Sequence, residues 1–332
     1  MITSNQQATW TVVVSRGQSR NPAKRELEQK ISDVASTLDG VDVVVVPHLY
    51  DLPKSSESFE KLMAIESDLI VVSWIYSRAA HWVLDRNGIR GQFGEVLLGE
   101  DDESDEANDD SAEEESDAQA IDRVTDMFPR PDRMVHCVDL KTSNQPDDFL
   151  NEIRRIIGAE IEPPSSLPIV GGQLVQVDET TSRRWYPVID FSRCTNCMEC
   201  IDFCLFGVYG VDGAESILVE QPDNCRKGCP ACSRVCPENA IIFPQHKAPA
   251  IAGAQIDGDE GFKIDLSQLF GAPATNEDPI ATAARERDEQ LLLTGRDAVG
   301  IDDQLRKRQA DRSSGPKDQL DKLLDSLDEF DL

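Results

Sequence analysis

Eight of the nine cysteines in this 332-residue chain lie between Cys194 and Cys236. They form two runs. Cys194-Thr-Asn-Cys197-Met-Glu-Cys200-Ile-Asp-Phe-Cys204 has the spacing C-x2-C-x2-C-x3-C, and Cys225-Arg-Lys-Gly-Cys229-Pro-Ala-Cys232-Ser-Arg-Val-Cys236-Pro237 has C-x3-C-x2-C-x3-C-P. Two metal chemistries suit thiolates this close together. Three of them can wrap one cube of iron and sulfide, with backbone amides turned toward the sulfurs. Four can hold a zinc ion, so eight could hold two. Zinc ribbons, however, bring C-x2-C knuckles together from separate places. A third and fourth cysteine in the same run, twice over, favours the cubes. Disulfides are disfavoured. The first residues are polar with no basic-then-apolar leader, and no stretch reaches the roughly 20 apolar residues of a membrane span. The expectation is a cytoplasmic protein whose thiols stay reduced.

The two runs sit in matching surroundings. Val188-Ile189-Asp190 precedes the first run as a strand, and Gly207-Val208-Tyr209 follows Cys204 as Ala240-Ile241-Ile242 follows Cys236. Residues 190–211 and 221–243 read as an internal repeat, joined by a turn at Asp212-Gly213 and a returning strand over 217–220. Across residues 185–243 the chain resembles the bacterial-type ferredoxin domain with two 4Fe-4S clusters. The resemblance implies a (βαβ)2 fold in which the fourth cysteine of each run starts a short helix, points away and ligates the other cluster. It implies Cys194, Cys197, Cys200 and Cys236 around one cluster, and Cys225, Cys229, Cys232 and Cys204 around the other. It also implies single-electron exchange with a redox partner. Two departures from the pattern remove no ligand. Leu205 stands where a proline would follow Cys204, and one extra residue separates Cys225 from Cys229, with Gly228 free to absorb it.

The elements that would support these runs are of a different kind. Residues 1–161 alternate apolar runs at 11–15, 41–46, 69–74 and 134–140 with helical patterns at 22–40, 56–66, 77–86 and 146–157. Asn21 and Pro22 form a helix start, and Leu27, Ile31, Val34 and Leu38 repeat at helical spacing up to Gly40. Strand–helix alternation calls for a parallel sheet with right-handed crossovers. The expected fold is α/β, a flavodoxin-like doubly wound sheet, followed by the ferredoxin-type domain over 162–254. Residues 163–168 read as a linker, and strands are expected at 173–177 and 185–190.

Composition bounds the partners. The formal net charge of −29 argues against nucleic acid and anionic membranes and permits a basic docking face on a redox protein. Twelve of the acidic residues fall in 99–120, which contains no Lys or Arg and reads as a disordered insertion, or as a docking strip for a basic partner. The tail, 255–332, is acidic. A helix is expected at 281–293, and an amphipathic one over 318–330 carries Leu320, Leu323, Leu324 and Leu327 on one face. It would dock on its own domain or on a partner.

In a doubly wound sheet, ligands bind beyond the carboxyl ends of the strands. Here that places candidate loops at Ser15-Arg16-Gly17-Gln18-Ser19-Arg20 and Trp74-Ile75-Tyr76-Ser77-Arg78. Neither is a nucleotide fingerprint, so a small ligand of the N-terminal part is a weaker expectation. His48 is placed near the same crevice. His81 and His136 read as structural and Cys137 as buried packing. No nucleophile–base–orienter set can be assembled, and no catalytic residue is assigned. Three functions remain: an electron carrier, an iron–sulfur oxidoreductase whose α/β domain binds a cofactor or substrate, and a metal-stabilised scaffold.

Overall fold

The computed structural model describes residues 10–99, 123–128, 130–159, 172–254 and 279–301. The acidic stretch after Gly99, the linker at 163–168 and the amphipathic segment 318–330 lie outside the described residues.

Valine runs build the sheet. β1 (Trp10–Ser15) lies between β2 (Val41–Val46) and β3 (Asp68–Ser73), with Val13 opposite both Val44 and Val71. β5 (Met134–Asp139) pairs with β3 and β4 (Gln92–Gly94) with β5, while β6 (Leu174–Gln176) pairs with β2. All pairings are parallel, in the order β4-β5-β3-β1-β2-β6. This is an α/β sheet, and its central order is compatible with a flavodoxin-like domain.

Side chains alternate between the two faces, as the two-residue period of a strand requires. Val12 and Val14 pack with Leu27 and Ile31 of α1 (Pro22–Ala35) and with Phe149 and Ile153 of α5 (Pro146–Ile157). Val13 packs with Phe59 and Leu62 of α2 (Glu57–Met63) and with Ala79 and Val83 of α3 (Ser77–Arg86). The expected start signal operates, since Asn21 accepts a hydrogen bond from the Ala23 amide; Ser56, not read as a cap from the sequence, accepts likewise from that of Phe59. α1 stops at Ala35, short of Gly40. Gly40 instead takes the left-handed turn (φ 71°) into β2.

β4 was not expected from the sequence. It has three residues, two of them exposed, so it carries no apolar run to read. α4 (Val124–Met127) was missed as well. The strand expected at 173–177, sequentially beyond the linker, is β6 on the edge of the large sheet.

The cysteine-rich region follows the order β7 (Val188–Ile189), α6 (Glu199–Phe203), β8 (Tyr209–Val211), β9 (Ile217–Val219), α7 (Ala231–Val235), β10 (Ile241–Ile242). β8 and β9 form an antiparallel hairpin, and β10 returns to pair antiparallel with β7. α8 (Pro249–Ala252) follows, and α9 (Pro279–Leu293) covers α7 through Ala283, which packs with Ala231, Val235 and Phe203. Tyr186, Val188 and Ile242 extend the core beneath α3 into this region. No helix among the described residues is long and apolar enough to cross a membrane.

Candidate metal centre

The cysteines sit on loops and short helices whose backbone is unusual. In the first run, Asn196 (φ 57°) and Met198 (φ 63°) are left-handed, a conformation that non-glycine residues seldom adopt. Alternating hand in this way turns successive amides toward one side of the loop. The Asn196 side chain anchors the loop to the β8–β9 hairpin. Its Oδ1 accepts from the Ile217 amide at 2.9 Å and its Nδ2 donates to the Glu215 carbonyl at 2.9 Å. In the second run, Gly228 is left-handed (φ 86°) and absorbs the extra residue.

One expectation is corrected. Cys204 and Cys236 do not start helices; they cap the C-termini of α6 and α7, while Cys200 and Cys232 lie inside those helices. For Cys236 the reason is Pro237, which forces the preceding residue out of the helical region (φ −70°, ψ 113°). Cys204 itself is extended (φ −80°, ψ 106°), and the chain then turns through Leu205 and Phe206, with Gly207 left-handed (φ 69°).

Ending the helices at these cysteines carries them across the run boundary. Cys204 lines one cavity with Cys225, Cys229 and Cys232, and Tyr209 and Arg287 complete its wall. Cys236 stands among the first run. Burial, and then the adjacent Cys236 and Cys197 thiols, push Cys194 up to about 11. Cys200 is raised further by burial and by Cys236, Cys194 and Cys197. The other set behaves likewise. Burial pushes Cys229 up to about 11, with Cys204 adding to it, and Cys232 is raised by burial and then by Cys204 and Cys225. All nine cysteines are free.

The donor chemistry fits iron–sulfur clusters. Two sets of four thiols converge, Cys194, Cys200, Cys229 and Cys232 buried and the other four partly so; a bound cationic centre would hold them as thiolates. Among the described residues, no three His, Cys, Asp or Glu side chains stand close enough to grip a single metal ion. A cube of iron and sulfide is a larger body, held by thiols that stand farther apart.

Some polar groups already address the sulfurs. Tyr209 donates from Oη to Cys232 Sγ at 3.1 Å, and the Ala240 amide donates to Cys236 Sγ at 3.3 Å. In the sequence Tyr209 stands out only as part of the segment that matches 240–242, and no local signal marks its hydroxyl as a sulfur partner. Arg287 of α9, also missed, stacks over Phe203 with its guanidinium carbon 4.5 Å from the ring centre.

The weaker candidates separate. The two loops beyond the sheet do meet, since a Cβ on Gly17 would fall 2.8 Å from Trp74 Cδ1. Trp74 then fills the crevice and donates from Nε1 to Glu28 at 2.7 Å. A cavity of about 630 Å3 opens beside it instead, lined by Arg16, Arg25, Glu28, His48, Asp51 and Arg183 among others, away from the cysteines. His48 Nδ1 lies 3.5 Å from Asp51 there. His136 Nδ1 lies 2.8 Å from the Glu95 carbonyl oxygen. Cys137 is fully buried, which pushes its thiol far up.

A stretch of 66 residues is 50% identical to an uncharacterized ferredoxin of Methanocaldococcus jannaschii, covering 20% of this chain and 44% of that protein. The chain thus spans less than half the length of this relative. No protein-family model matches the chain, and no solved structure does. What the comparison supports is a ferredoxin-like segment within a longer chain.

Proposed function

We propose that this chain is an iron–sulfur electron-transfer protein. It carries two 4Fe-4S clusters and exchanges single electrons with a redox protein partner. One observation supports this reading above the rest: Cys204 of the first run shares a cavity with Cys225, Cys229 and Cys232 of the second. Cys194, Cys197, Cys200 and Cys236 would hold one cluster, and Cys225, Cys229, Cys232 and Cys204 the other. Bound clusters supply reversible one-electron storage. The protein's own residues bury the sulfurs, donate hydrogen bonds to them from Tyr209 and from the Ala240 amide, and close over the second set with α9. On this reading the ferredoxin-type domain lies within the expected 162–254 but begins after β6, which pairs with β2 and so belongs with the α/β domain expected over 1–161; the tail is 255–332. The acidic charge steers a partner with a basic face, and the setting is a reducing cytoplasm.

Iron and acid-labile sulfide analysis of anaerobically purified protein tests the reading, together with the reduced-minus-oxidised EPR spectrum. The expected result is about eight irons and eight sulfides per chain, with the signals of two neighbouring cubes. An iron-free, zinc-replete preparation would overturn it.

A second reading rests on the 630 Å3 cavity at the ends of β1 and β2. Its size suits a cofactor or substrate, which would make the chain an iron–sulfur oxidoreductase. A chromophore or organic ligand co-purifying with the full chain would move the function to this reading.

A further inference from the structure

Two buried carboxylates serve four guanidinium groups at the seam between the sheet and the cysteine-rich region. Asp190 takes Arg78 at 2.5 Å and Arg193 at 3.9 Å, while Asp85 takes Arg130 at 3.2 Å and Arg90 at 3.9 Å. Asp190 is further committed, since its Oδ1 accepts from the Ser192 amide at 3.0 Å and from the Ser192 hydroxyl. Four cations less two anions leaves a local surplus of positive charge, inside a chain whose net charge is −29. The two buried arginines, Arg78 and Arg130, each face one buried carboxylate, and burial lowers the pKa of both; the surplus is carried by Arg193 and Arg90, which keep more contact with water and so are open to a further anion.

Three of these cations, Arg78, Arg130 and Arg193, line one cavity of about 440 Å3 against a single carboxylate, Asp190. That is the size of a small-ligand site. His81 lines it too, is 5% exposed, and has no hydrogen-bond partner for Nδ1. Burial and then Arg130 hold His81 at about 4, so at neutral pH the ring keeps one donor and one acceptor. Trp82 and Phe93, each edge-on to His81, supply flat apolar walls. The cavity of about 630 Å3 described above differs in this respect, because its lining sets Arg16, Arg25 and Arg183 against four carboxylates, Glu28, Asp51, Asp178 and Glu179.

We infer that the seam cavity binds a small oxyanion, either an organic carboxylate or an inorganic oxyanion. Guanidinium forks match the paired oxygens of both. The site borders the first cysteine set, because the Asp190 carbonyl accepts the Cys194 amide at 3.0 Å. Cys236 also acts electrostatically on Arg78, so charge on the first cysteine set opposes an anion in the cavity without forming part of its lining.

Calorimetric titration of the full chain at low ionic strength, with inorganic phosphate and separately with malonate, tests the site. Saturable one-site binding of either probe is expected, and which one binds identifies the source. Arg193→Met should weaken it about tenfold, the equivalent of one charge-assisted hydrogen bond. Arg193 is the suitable target because Arg78 still pairs Asp190 in its absence; a thermal melt checks that the fold survives. Arg16→Met, which removes a cation from the other cavity, should leave binding unchanged. No saturable heat with either probe, or equal weakening by the two substitutions, would overturn the assignment.

Discussion

Arg78 donates from Nε to Asp190 Oδ2 at 2.5 Å, and its Nη2 donates to the Asn239 carbonyl at 2.5 Å. The two acceptors flank opposite ends of the cysteine-rich region: Asp190 precedes Cys194, and Asn239 follows Cys236. One guanidinium from the sheet-side helix α3 therefore clamps both approaches to the first cysteine set. Arg78→Met leaves Asp190 buried without its main partner, at a cost of about 3–5 kcal/mol. Urea unfolding should show that loss, and Arg78→Met combined with Asp190→Asn should recover part of it. Additive losses in the double variant would refute the clamp.

The crossed assignment predicts where damage lands. Cys204→Ser should abolish or alter the cluster held by Cys225, Cys229 and Cys232 and spare that of Cys194, Cys197 and Cys200. Cys236→Ser should do the reverse. Power-resolved EPR of each variant reads the surviving signal, and loss confined to the variant's own run would refute the crossing.

Tyr209 donates to Cys232 Sγ at 3.1 Å from a buried position. A hydrogen bond to sulfur favours the more negative, reduced state. Tyr209→Phe removes it with little change of shape, so the potential of the second cluster should fall by tens of millivolts. Redox titration followed by EPR checks this, and an unchanged potential would separate the contact from any tuning role.

His81 gives stability a defined acid limb. Burial first, and Arg130 second, lower it from 6.5 to about 4, with Asp190 opposing. Between those values the unfolded chain binds the extra proton, so stability falls as pH drops from about 6.5 towards 4. The full effect is on the order of 3 kcal/mol, at about 1.4 kcal/mol per pH unit. In His81→Phe the decline of melting temperature over this range should be shallower than in the parent chain. Parallel profiles would assign the acid limb to other groups.

α9 is held over α7 by Ala283, fully buried against Phe203 and Val235, and by the two-point pairing of Arg234 with Glu286 at 2.9 and 3.0 Å. Ala283→Phe overfills this contact at a cost of about 1–3 kcal/mol. Hydrogen exchange should then speed up along α9 and around Cys229. Glu286→Ala, partly exposed, should cost under about 1 kcal/mol.

The sequence by itself determined whatever depends on local spacing. The cysteine runs, the valine strands, the Asn21 cap, and the repeated strand–helix–strand units were all legible, because period, cap and turn preferences act within a few residues. The tertiary structure decided which distant groups meet. The three-residue β4 has no apolar run, and β6 becomes an edge strand only because β2 offers an unpaired side. Tyr209 reaches Cys232 through the hairpin, and Trp74 fills the crevice that the topology would have left for a ligand. The arginine surplus at the seam was equally invisible. Net charge is a sum over the whole chain, whereas the charge a ligand meets depends on which cations the fold buries together and how few carboxylates it buries with them.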